Sequence, residues 1–332
     1  VPGIRRHRER GAALTSSSVF DPSAGAPKHV LCVGAAVLDT LFRVHTLPTG
    51  QGKVLPYDML QIAEGMASSA AYAVARLGGK ASLWGAVGND ETGERIIREL
   101  ATAGIVTGGM LCVEGARSAV STILIDDDGE RLIVPFYDPK LHHMTKAFTP
   151  EDLADVDAVL VDVRWPALAL RVLKAARSMG KPAILDGDVA PDGIIERLAP
   201  EATHIVFSEP AAQRLTGIED FAEMVRLLKR RFGHSFICVT AGAAGSFWCD
   251  DHSNDVRHSP TIAIKAVDTL AAGDIFHGAF ALAIAEGKTP AEAIQLSSIA
   301  AAIKCEAFGG RSGAPTRTDV IARLGSHEAS SL

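Results

Sequence analysis

The chain has 332 residues, of which 47% are apolar, 22% are charged and only 5% are aromatic. These proportions are ordinary for a globular protein, and the length allows one large or two modest domains with a largely aliphatic core. The formal net charge of −6 argues against nucleic acid as the main partner. No apolar run reaches the roughly 18 residues that a membrane-spanning helix needs, so no membrane partner is expected.

The cysteines and the leader sequence indicate the cellular compartment. The five cysteines are scattered and lack CxxC spacing, which favours free thiols in the cytoplasm over a disulfide framework or a zinc site. Residues 1–28 are rich in arginine and serine and contain no apolar segment, so we expect a disordered leader and not a secretory signal. A short tail is expected at 326–332.

The first folded segment brings a carboxylate and a small-residue helix. An apolar strand is predicted at 30–34, and Asp39 follows it, a usual position for a ligand contact in an α/β protein. From Gly65 small residues open a helix that ends at Gly78, with Ser69 near its start. Small side chains here would let the backbone approach a bound ligand closely.

Two further segments have the character of short strands. Residues 41–63 are interrupted by proline and glycine and have no helical period, and residues 118–138 contain a hairpin with its turn at 126–129. Together they predict a small sheet set apart from the main one.

Strands and helices alternate regularly in the second half of the chain. Strands are predicted at 158–161, 183–185, 204–207 and 236–239, with helices near 167–179, 219–232 and 276–286. This order predicts an α/β fold with a doubly wound, mainly parallel sheet and helices on both faces, in one domain over 29–325. Ligands bind at the carboxyl ends of such strands. The polar residues at those ends are Asp162, Arg164, Asp186, Asp188, Ser208, Glu209 and Thr240.

A glycine-rich loop follows the last of these strands. It reads Thr240-Ala-Gly242-Ala-Ala-Gly245, which by itself is a weak signal for a phosphate or nucleotide.

The stretch 267–280 is the most informative part of the sequence. Small residues at 271–273 precede Asp274 and an apolar-periodic run, a pattern that predicts a tight loop entering a buried helix. The N-terminus of such a helix attracts phosphate. Asp274 would then be a general base for a hydroxyl that attacks phosphorus, or it would only cap a core helix. The spacing leaves both interpretations open.

Taken together, these segments resemble the PfkB/ribokinase family of sugar kinases over about 29–318. The stretch Asp268-Thr-Leu-Ala-Ala-Gly-Asp274 is similar to the family's C-terminal signature, commonly DTTGAGD. The glycine region that begins at Glu64-Gly65, the loop at 85–90 and the loop at 240–245 agree with it. The resemblance implies a ribokinase-like fold whose small β-sheet is a lid over the sugar, and whose lid often forms a homodimer interface.

The resemblance also implies ATP-dependent phosphorylation of a sugar hydroxyl, with Mg²⁺. Asp274 would be the general base, and the backbone amides of Ala271, Ala272 and Gly273 would form the anion hole. The family allows a monovalent cation such as K⁺ near Asp268. The sugar side would include Asp39, Gly65 and Ser69, and the nucleotide side would include Thr240, Gly242, Gly245, Ser208, Glu209 and Asp268.

Within the family, several stretches look like the sulfofructose kinase branch. They are 161–165, 185–188, 207–210, 214–217 and 309–313. Lys53 falls where that branch carries a sulfonate-binding lysine, but Glu114 stands where its asparagine is expected and would repel an anion. Arg164 would either reach a phosphate or form a surface ion pair. An anionic substrate is therefore left open.

Four departures from the family pattern concern the site. Glu64 replaces the first glycine of a GG pair, and Ser69 replaces an asparagine, so the identity of the sugar is in doubt. The NxxE motif, which helps to organise magnesium, reads Ser208-Glu209-Pro210-Ala211, where Glu209 could supply a carboxylate to the metal. Ala271 replaces the anion-hole glycine, which is tolerable only if its φ is negative.

Several alternatives follow from these departures. A nucleoside kinase of the same fold is the nearest enzymatic one, and a non-catalytic sugar- or nucleotide-binding protein is another. Asp186 and Asp188 are either magnesium-water contacts or solvated loop acids. His277 is expected to be a helix-face histidine with satisfied hydrogen bonds, and Lys304 and Arg311 are expected to neutralise neighbouring carboxylates.

Overall fold

The computed structural model describes residues 26–143, 145–233, 236–250 and 255–330. Its strands are, in chain order, β1 His29–Val33, β2 Val37–Arg43, β3 Asp58–Glu64, β4 Lys80–Trp84, β5 Ala86–Gly88, β6 Leu111–Val113, β7 Ala119–Ile125, β8 Arg131–Phe136, β9 Ala158–Val161, β10 Ala183–Gly187, β11 His204–Ser208, β12 Phe236–Thr240, β13 Ser246–Cys249 and β14 Arg257–Ser259. Its α-helices are α1 Met66–Arg76, α2 Glu91–Thr102, α3 Pro139–His143, α4 Pro166–Ser178, α5 Ile194–Leu198, α6 Glu209–Thr216, α7 Phe221–Phe232, α8 Ala272–Ala285, α9 Pro290–Cys305 and α10 Arg317–Ser330.

Eight strands form the central sheet in the order β14-β13-β12-β11-β10-β9-β1-β4. The pairs from β4 to β12 are parallel, whereas β12, β13 and β14 pair antiparallel at one edge. The inner strands are short and almost continuously apolar, as is usual for parallel strands covered on both faces. The predicted doubly wound, mainly parallel α/β sheet is confirmed.

The sheet separates two apolar cores. Along β1, Val30 and Cys32 face the core formed with α1, α8 and α9, and Leu31 and Val33 face the core formed with α4 and α7. This alternation follows from the two-residue period of a strand. In such a sheet, ligands bind outside the carboxyl ends of the parallel strands.

Close packing of α1 against α8 fixes the position of the α8 N-terminus. A Cβ atom on Gly278 would collide with the carbonyl oxygen of Ala70 and crowd the methyl group of Ala73. The lack of a side chain at 278 therefore lets two helix backbones approach closely. This contact therefore fixes how α8 lies against α1.

The predicted small sheet is present as four strands in the order β3-β2-β7-β8. Its inner face carries Asp39 and Leu41 opposite Ser121 and Ile123, and all four side chains are buried. At its tip, Arg131 and the carbonyl of Gly129 both contact the hydroxyl of Thr269, which lies just before α8. The lid thus reaches the loop that leads into α8.

Some elements differ from the sequence prediction. Helices α6 and α9 and the antiparallel edge strands were not predicted. Helix α10 continues to Ser330, so the segment from 326 to 330 that was expected as a tail is helical. Most of the predicted leader lies outside the described residues, although Lys28 is described and forms an ion pair with Asp157 at 2.9 Å. Within the described ranges, no helix is both long and apolar enough to cross a membrane.

We predict that Gly278→Ala destabilises the protein by about 1–3 kcal/mol, because the new methyl group would force α1 and α8 apart. Urea unfolding followed by circular dichroism measures this change. Gly325→Ala in α10 is the matched control, since a Cβ there meets no atom within 4 Å. The control should be neutral or slightly stabilising, and an unchanged midpoint for Gly278→Ala would contradict the packing argument.

Candidate active site

The first turn of α8 presents an anion-binding surface. The helix begins at Ala272 after Ala271 as N-cap, and the alanine side chain cannot cap the free N–H groups. Those N–H groups and the positive end of the helix dipole favour a negative charge at this point. The predicted loop and buried helix are therefore present where the sequence placed them.

The conformation of Ala271 corrects one expectation. Its φ is +61°, and it is the only non-glycine residue with positive φ among those described. The sequence argument had required a negative φ. An alanine in this left-handed region costs roughly 1–2 kcal/mol. The loop must therefore be held by contacts strong enough to offset that cost.

Neither a left-handed backbone conformation nor close packing requires a glycine at position 273. Its φ is not in the left-handed region, and an added Cβ would meet no atom within 4 Å. The residue is also exposed. The space in front of the helix N-terminus is therefore open, and a ligand could approach the backbone there.

Asp268 holds the loop in place. The Leu270 N–H donates to its Oδ1 at 2.8 Å, and the N–H groups of Gly309 and Gly310 donate to Oδ2 at 3.0 and 2.9 Å. The ammonium of Lys304 lies 3.2 Å from Oδ2 and donates to the Asp268 carbonyl at 2.5 Å. Asp268 has no exposed surface. These contacts show that Asp268 positions the loop, and its predicted role on the nucleotide side stays a prediction.

Asp274 lies in the first turn of α8 and is partly exposed. Burial raises the pKa of its carboxyl well above the usual range, and the neighbouring carboxylates of Asp186 and Glu64 raise it further. His277 opposes this shift. A carboxylate with a raised pKa is a stronger base, which suits proton transfer from a hydroxyl.

His277 is buried below Asp274, with hydrogen-bond partners on both ring nitrogens. Nδ1 lies 2.7 Å from the carbonyl oxygen of Gly273, and Nε2 lies 3.1 Å from that of Val206 and 3.4 Å from Asp186 Oδ1. The predicted helix-face histidine with satisfied hydrogen bonds is observed. Asp186 is buried with it, so it is not a solvated loop acid.

A second group of carboxylates lies under the lid. Asp39 accepts a hydrogen bond from the hydroxyl of Ser121, and burial raises its pKa to about 6. Glu64 accepts a hydrogen bond from the hydroxyl of Ser69 and another, at 2.6 Å, from the backbone N–H of Arg311. Burial, followed by repulsion from Asp39, raises the pKa of Glu64 to about 7.

Two departures from the family pattern, Glu64 and Ser69, are in direct contact. Ser69 is fully buried and donates to Glu64, so it supports that carboxylate. Gly65 has a φ of 114°, and a Cβ there would lie 2.6 Å from the Ala35 carbonyl oxygen. Gly65 is thus needed for the close approach of this turn to the end of β1.

Arg164 lies beside the site at the end of β9. Its backbone N–H donates to Asp162 Oδ1 at 2.7 Å, and its guanidinium is 3.7 Å from Asp188 Oδ2. The Nε atom is buried and has no hydrogen-bond partner among the described residues. Arg164 lines a small cavity with Tyr137 and Trp165. It could therefore contact a ligand at this edge.

The predicted nucleotide side is formed by the ends of β11 and β12. Thr240 donates to the Phe207 carbonyl at 3.3 Å, Gly242 is exposed with a φ of 50°, and Gly245 packs against the Ser259 carbonyl. Ser208 caps α6.

The magnesium question concerns the start of α6. The Ser208 hydroxyl donates to Asp188 Oδ1 at 2.8 Å, Glu209 is exposed, and Ala211 is buried. No cluster of three or more potential metal ligands occurs in the described part of the chain. Mg²⁺ commonly takes one or two protein carboxylates together with waters and substrate phosphates. Glu209 and Asp188 are the carboxylates at this point that could hold it.

Two residues bear on the prediction of an anionic substrate, Lys53 and Glu114. Lys53 is exposed, and among the described contacts no hydrogen bond or ion pair joins it to the other predicted sugar-site residues. Glu114 is exposed and accepts a hydrogen bond from the Asn89 side chain at 2.6 Å. No described contact joins the Glu114 side chain to the other predicted sugar-site residues.

A family model described as pfkB family carbohydrate kinase matches residues 27–317. The chain belongs to the pfkB family of carbohydrate kinases. It is therefore a phosphotransferase with an alcohol group as acceptor, and kinases of this family use ATP and Mg²⁺. The resemblance inferred from the motifs is confirmed at the level of the family, and the sulfofructose kinase branch stays a prediction.

Similar proteins support this membership. The crystal structure of a candidate ribokinase from Agrobacterium tumefaciens is 63% identical, with a TM-score of 0.90, and the match covers 92% of this chain and 99% of that one. Ribokinase from Bacillus subtilis is 26% identical over 303 residues, covering 88% of this chain and 98% of the relative. The structure of Arabidopsis thaliana ribokinase complexed with ribose and ATP shares the fold at a TM-score of 0.76, with 24% identity and coverage of 90% and 99%.

The sequence analysis did not predict the full role of two residues of the site. Lys304 was expected only to neutralise a carboxylate, although a single charge inside the apolar run at 299–305 signals a buried, paired group. Ser121 was not identified, because its contact with Asp39 depends on the register between β2 and β7.

We predict that Glu64 makes the protein less stable as the pH rises. Its pKa is about 7 when folded and 4.5 for an ordinary carboxyl, so the stability it contributes is complete below pH 4.5 and is lost as the pH rises through 7. The loss is about 3 kcal/mol. Urea unfolding at several pH values should show a smaller decrease between pH 5 and 8 for Glu64→Gln than for the wild type.

Glu99→Gln is the control for this prediction. Hydrogen bonds from Arg95 and from the Ala63 N–H hold the pKa of Glu99 below its usual range despite partial burial, so its contribution has the opposite sign. This variant should keep the decrease seen in the wild type. An equal decrease in Glu64→Gln and the wild type would refute the assignment to Glu64.

Proposed function

We propose that this protein transfers the γ-phosphoryl group of ATP to a hydroxyl of a sugar, with a ketose or ketose derivative favoured. One observation carries the proposal. A carboxylate with a raised pKa, Asp274, lies at a helix N-terminus beside the open space at Gly273. A base and an anion-binding surface at one point are what attack of a hydroxyl on phosphorus requires.

Asp274 acts as the general base. Its carboxylate takes the proton from the sugar hydroxyl as the hydroxyl oxygen forms a bond to the γ-phosphorus and the bond to the ADP oxygen breaks. The backbone N–H groups at 271–273 and the α8 dipole stabilise the negative charge on the transferring group. Glu209 or Asp188 would hold Mg²⁺, which when bound would supply positive charge to the phosphates.

The lid side binds the sugar. A carboxylate that faces the site, such as Asp39, can accept hydrogen bonds from neighbouring hydroxyls, and Ser121 fixes its orientation. The loops at 240–245 and 208–209 then border ATP. The buried lid face over this region keeps water from the γ-phosphate. Free cysteines and the use of ATP support a cytoplasmic location.

The names of the relatives widen the substrate panel. Ribose is the sugar of the ribokinases, and a rice protein that is 28% identical over 287 residues is named Fructokinase-1. The neighbour from Methanocaldococcus jannaschii is a nucleoside kinase with 20% identity, which is support for the fold alone. No contact described for this chain favours a nucleoside over a sugar.

We expect release of ADP from Mg-ATP with one sugar of a panel of ribose, fructose, other ketoses, sulfofructose and adenosine. Asp274→Asn should lower kcat by about 10²–10⁴-fold, because the proton acceptor is lost. Asp192→Asn, at an exposed ion pair with Arg214, is the matched control and should leave kcat unchanged. Coupled measurement of ADP formation gives both values.

Three outcomes would count against this proposal. Turnover with adenosine alone would make the protein a nucleoside kinase. Sugar binding without turnover would make it a binding protein. Equal turnover by Asp274→Asn and the wild type would remove Asp274 from the reaction.

We also propose that the outer lid face forms a homodimer. This face consists of Phe42, Met59, Leu124, Leu132 and Val134, which the strand registers place on the side opposite Asp39. Val134 is 62% exposed and Met59 is 54% exposed. Apolar patches of this kind usually mark a protein interface.

Val134→Glu should convert the dimer to a monomer, because a buried, unpaired carboxylate is costly at an interface. Light scattering coupled to gel filtration measures the mass. Met179→Glu, at an exposed apolar residue outside the lid, is the control and should remain dimeric. A monomeric wild type would overturn this assignment of the outer lid face.

A further inference from the structure

Lys304 places a buried positive charge directly beneath the anion-hole loop. It lies near the end of α9, between apolar residues, and its side chain has no exposed surface. Burial lowers the pKa of Lys304, and the Asp268 carboxylate is the strongest influence that opposes this effect. An isolated buried ammonium would be very unfavourable, so the pairing with Asp268 is needed to keep it charged.

The contacts of this ammonium are those that a free cation would need. Nζ reaches a carboxylate oxygen of Asp268 and its carbonyl oxygen, at 3.2 and 2.5 Å. Oxygen ligands of this kind replace the water shell of K⁺ in proteins. The other groups at the Asp268 carboxylate are N–H donors of Leu270, Gly309 and Gly310, which a cation cannot use. The residues present therefore do not suit an additional monovalent cation at Asp268.

We propose that the Lys304 ammonium takes the place of a monovalent cation, so that the kinase works without K⁺. Its charge balances the Asp268 carboxylate, and that carboxylate fixes Leu270 and the left-handed Ala271 that follows. Lys304 is thus a positioning residue for the anion hole. This inference rests on the proposed kinase function for its activity measurements, but its stability measurements do not.

The wild type gives the first test. Activity and the thermal unfolding midpoint are measured in KCl and in tetramethylammonium chloride at equal ionic strength, because tetramethylammonium is too large for the site. We expect kcat to differ by less than about twofold and the midpoint to be the same in both salts, as linkage requires when no cation binds. Several-fold activation by K⁺, or a higher midpoint in KCl alone, would overturn the proposal.

Two variants provide the second test. Lys304→Ala leaves a cavity beside an uncompensated carboxylate, so kcat in tetramethylammonium chloride should fall by about 100-fold or more. K⁺ or NH₄⁺ should enter that cavity, restore at least about tenfold and raise the unfolding midpoint. Lys304→Met removes the charge but fills the space, so neither ion should rescue it.

Lys229→Ala is the matched control. Lys229 is a buried lysine on α7, near Cys249 and outside the anion-hole loop. Its variant should gain no dependence on K⁺. Full activity of Lys304→Ala in tetramethylammonium chloride would show that the charge is not required. If Lys304→Ala does not fold, the wild-type comparison still decides, and if no sugar is turned over, the unfolding midpoints still decide.

Discussion

The Asp268 carboxylate is the contact on which the arrangement of this site depends. It accepts hydrogen bonds from backbone N–H groups in two segments of the chain, at Leu270 and at the Gly309-Gly310 turn, and it faces the ammonium of Lys304. These bonds join the loop before α8 to the end of α9. Without them, nothing in the local sequence would favour a left-handed Ala271 or the orientation of the first turn of α8.

The site contains several buried carboxylates, and burying them is unfavourable for folding. Burial raises the pKa of Glu64, Asp186 and Asp274, and the carboxylates of Asp186 and Glu64 raise that of Asp274 further. Such groups lower the stability of the folded protein at neutral pH. They are retained where a proton must be accepted or a hydroxyl bound, as is common in active sites. His277 and Arg311 moderate the repulsion from buried positions.

The backbone pattern could be predicted from the sequence, because strand and helix periods are local. The alternation from 158 to 239 and the small residues at 271–273 were sufficient for the sheet and the α8 N-terminus. Helix α9 was missed, although Thr289 and Glu292 form a capping box that signals its start. The contact between Glu64 and Arg311 spans 247 residues, and the φ of Ala271 depends on distant partners, so no local pattern could reveal either.

The tryptophan in the cavity next to the site has an experimental consequence. The chain contains three tryptophans, and Trp165 is the one that lines this cavity together with Arg164. Trp248 lies in the antiparallel edge of the sheet, under the guanidinium of Arg257. A ligand that enters beside Arg164 therefore changes the surroundings of the Trp165 indole, whereas Trp248 does not line this cavity. The intrinsic fluorescence of the unlabelled protein can report occupancy of this edge of the site.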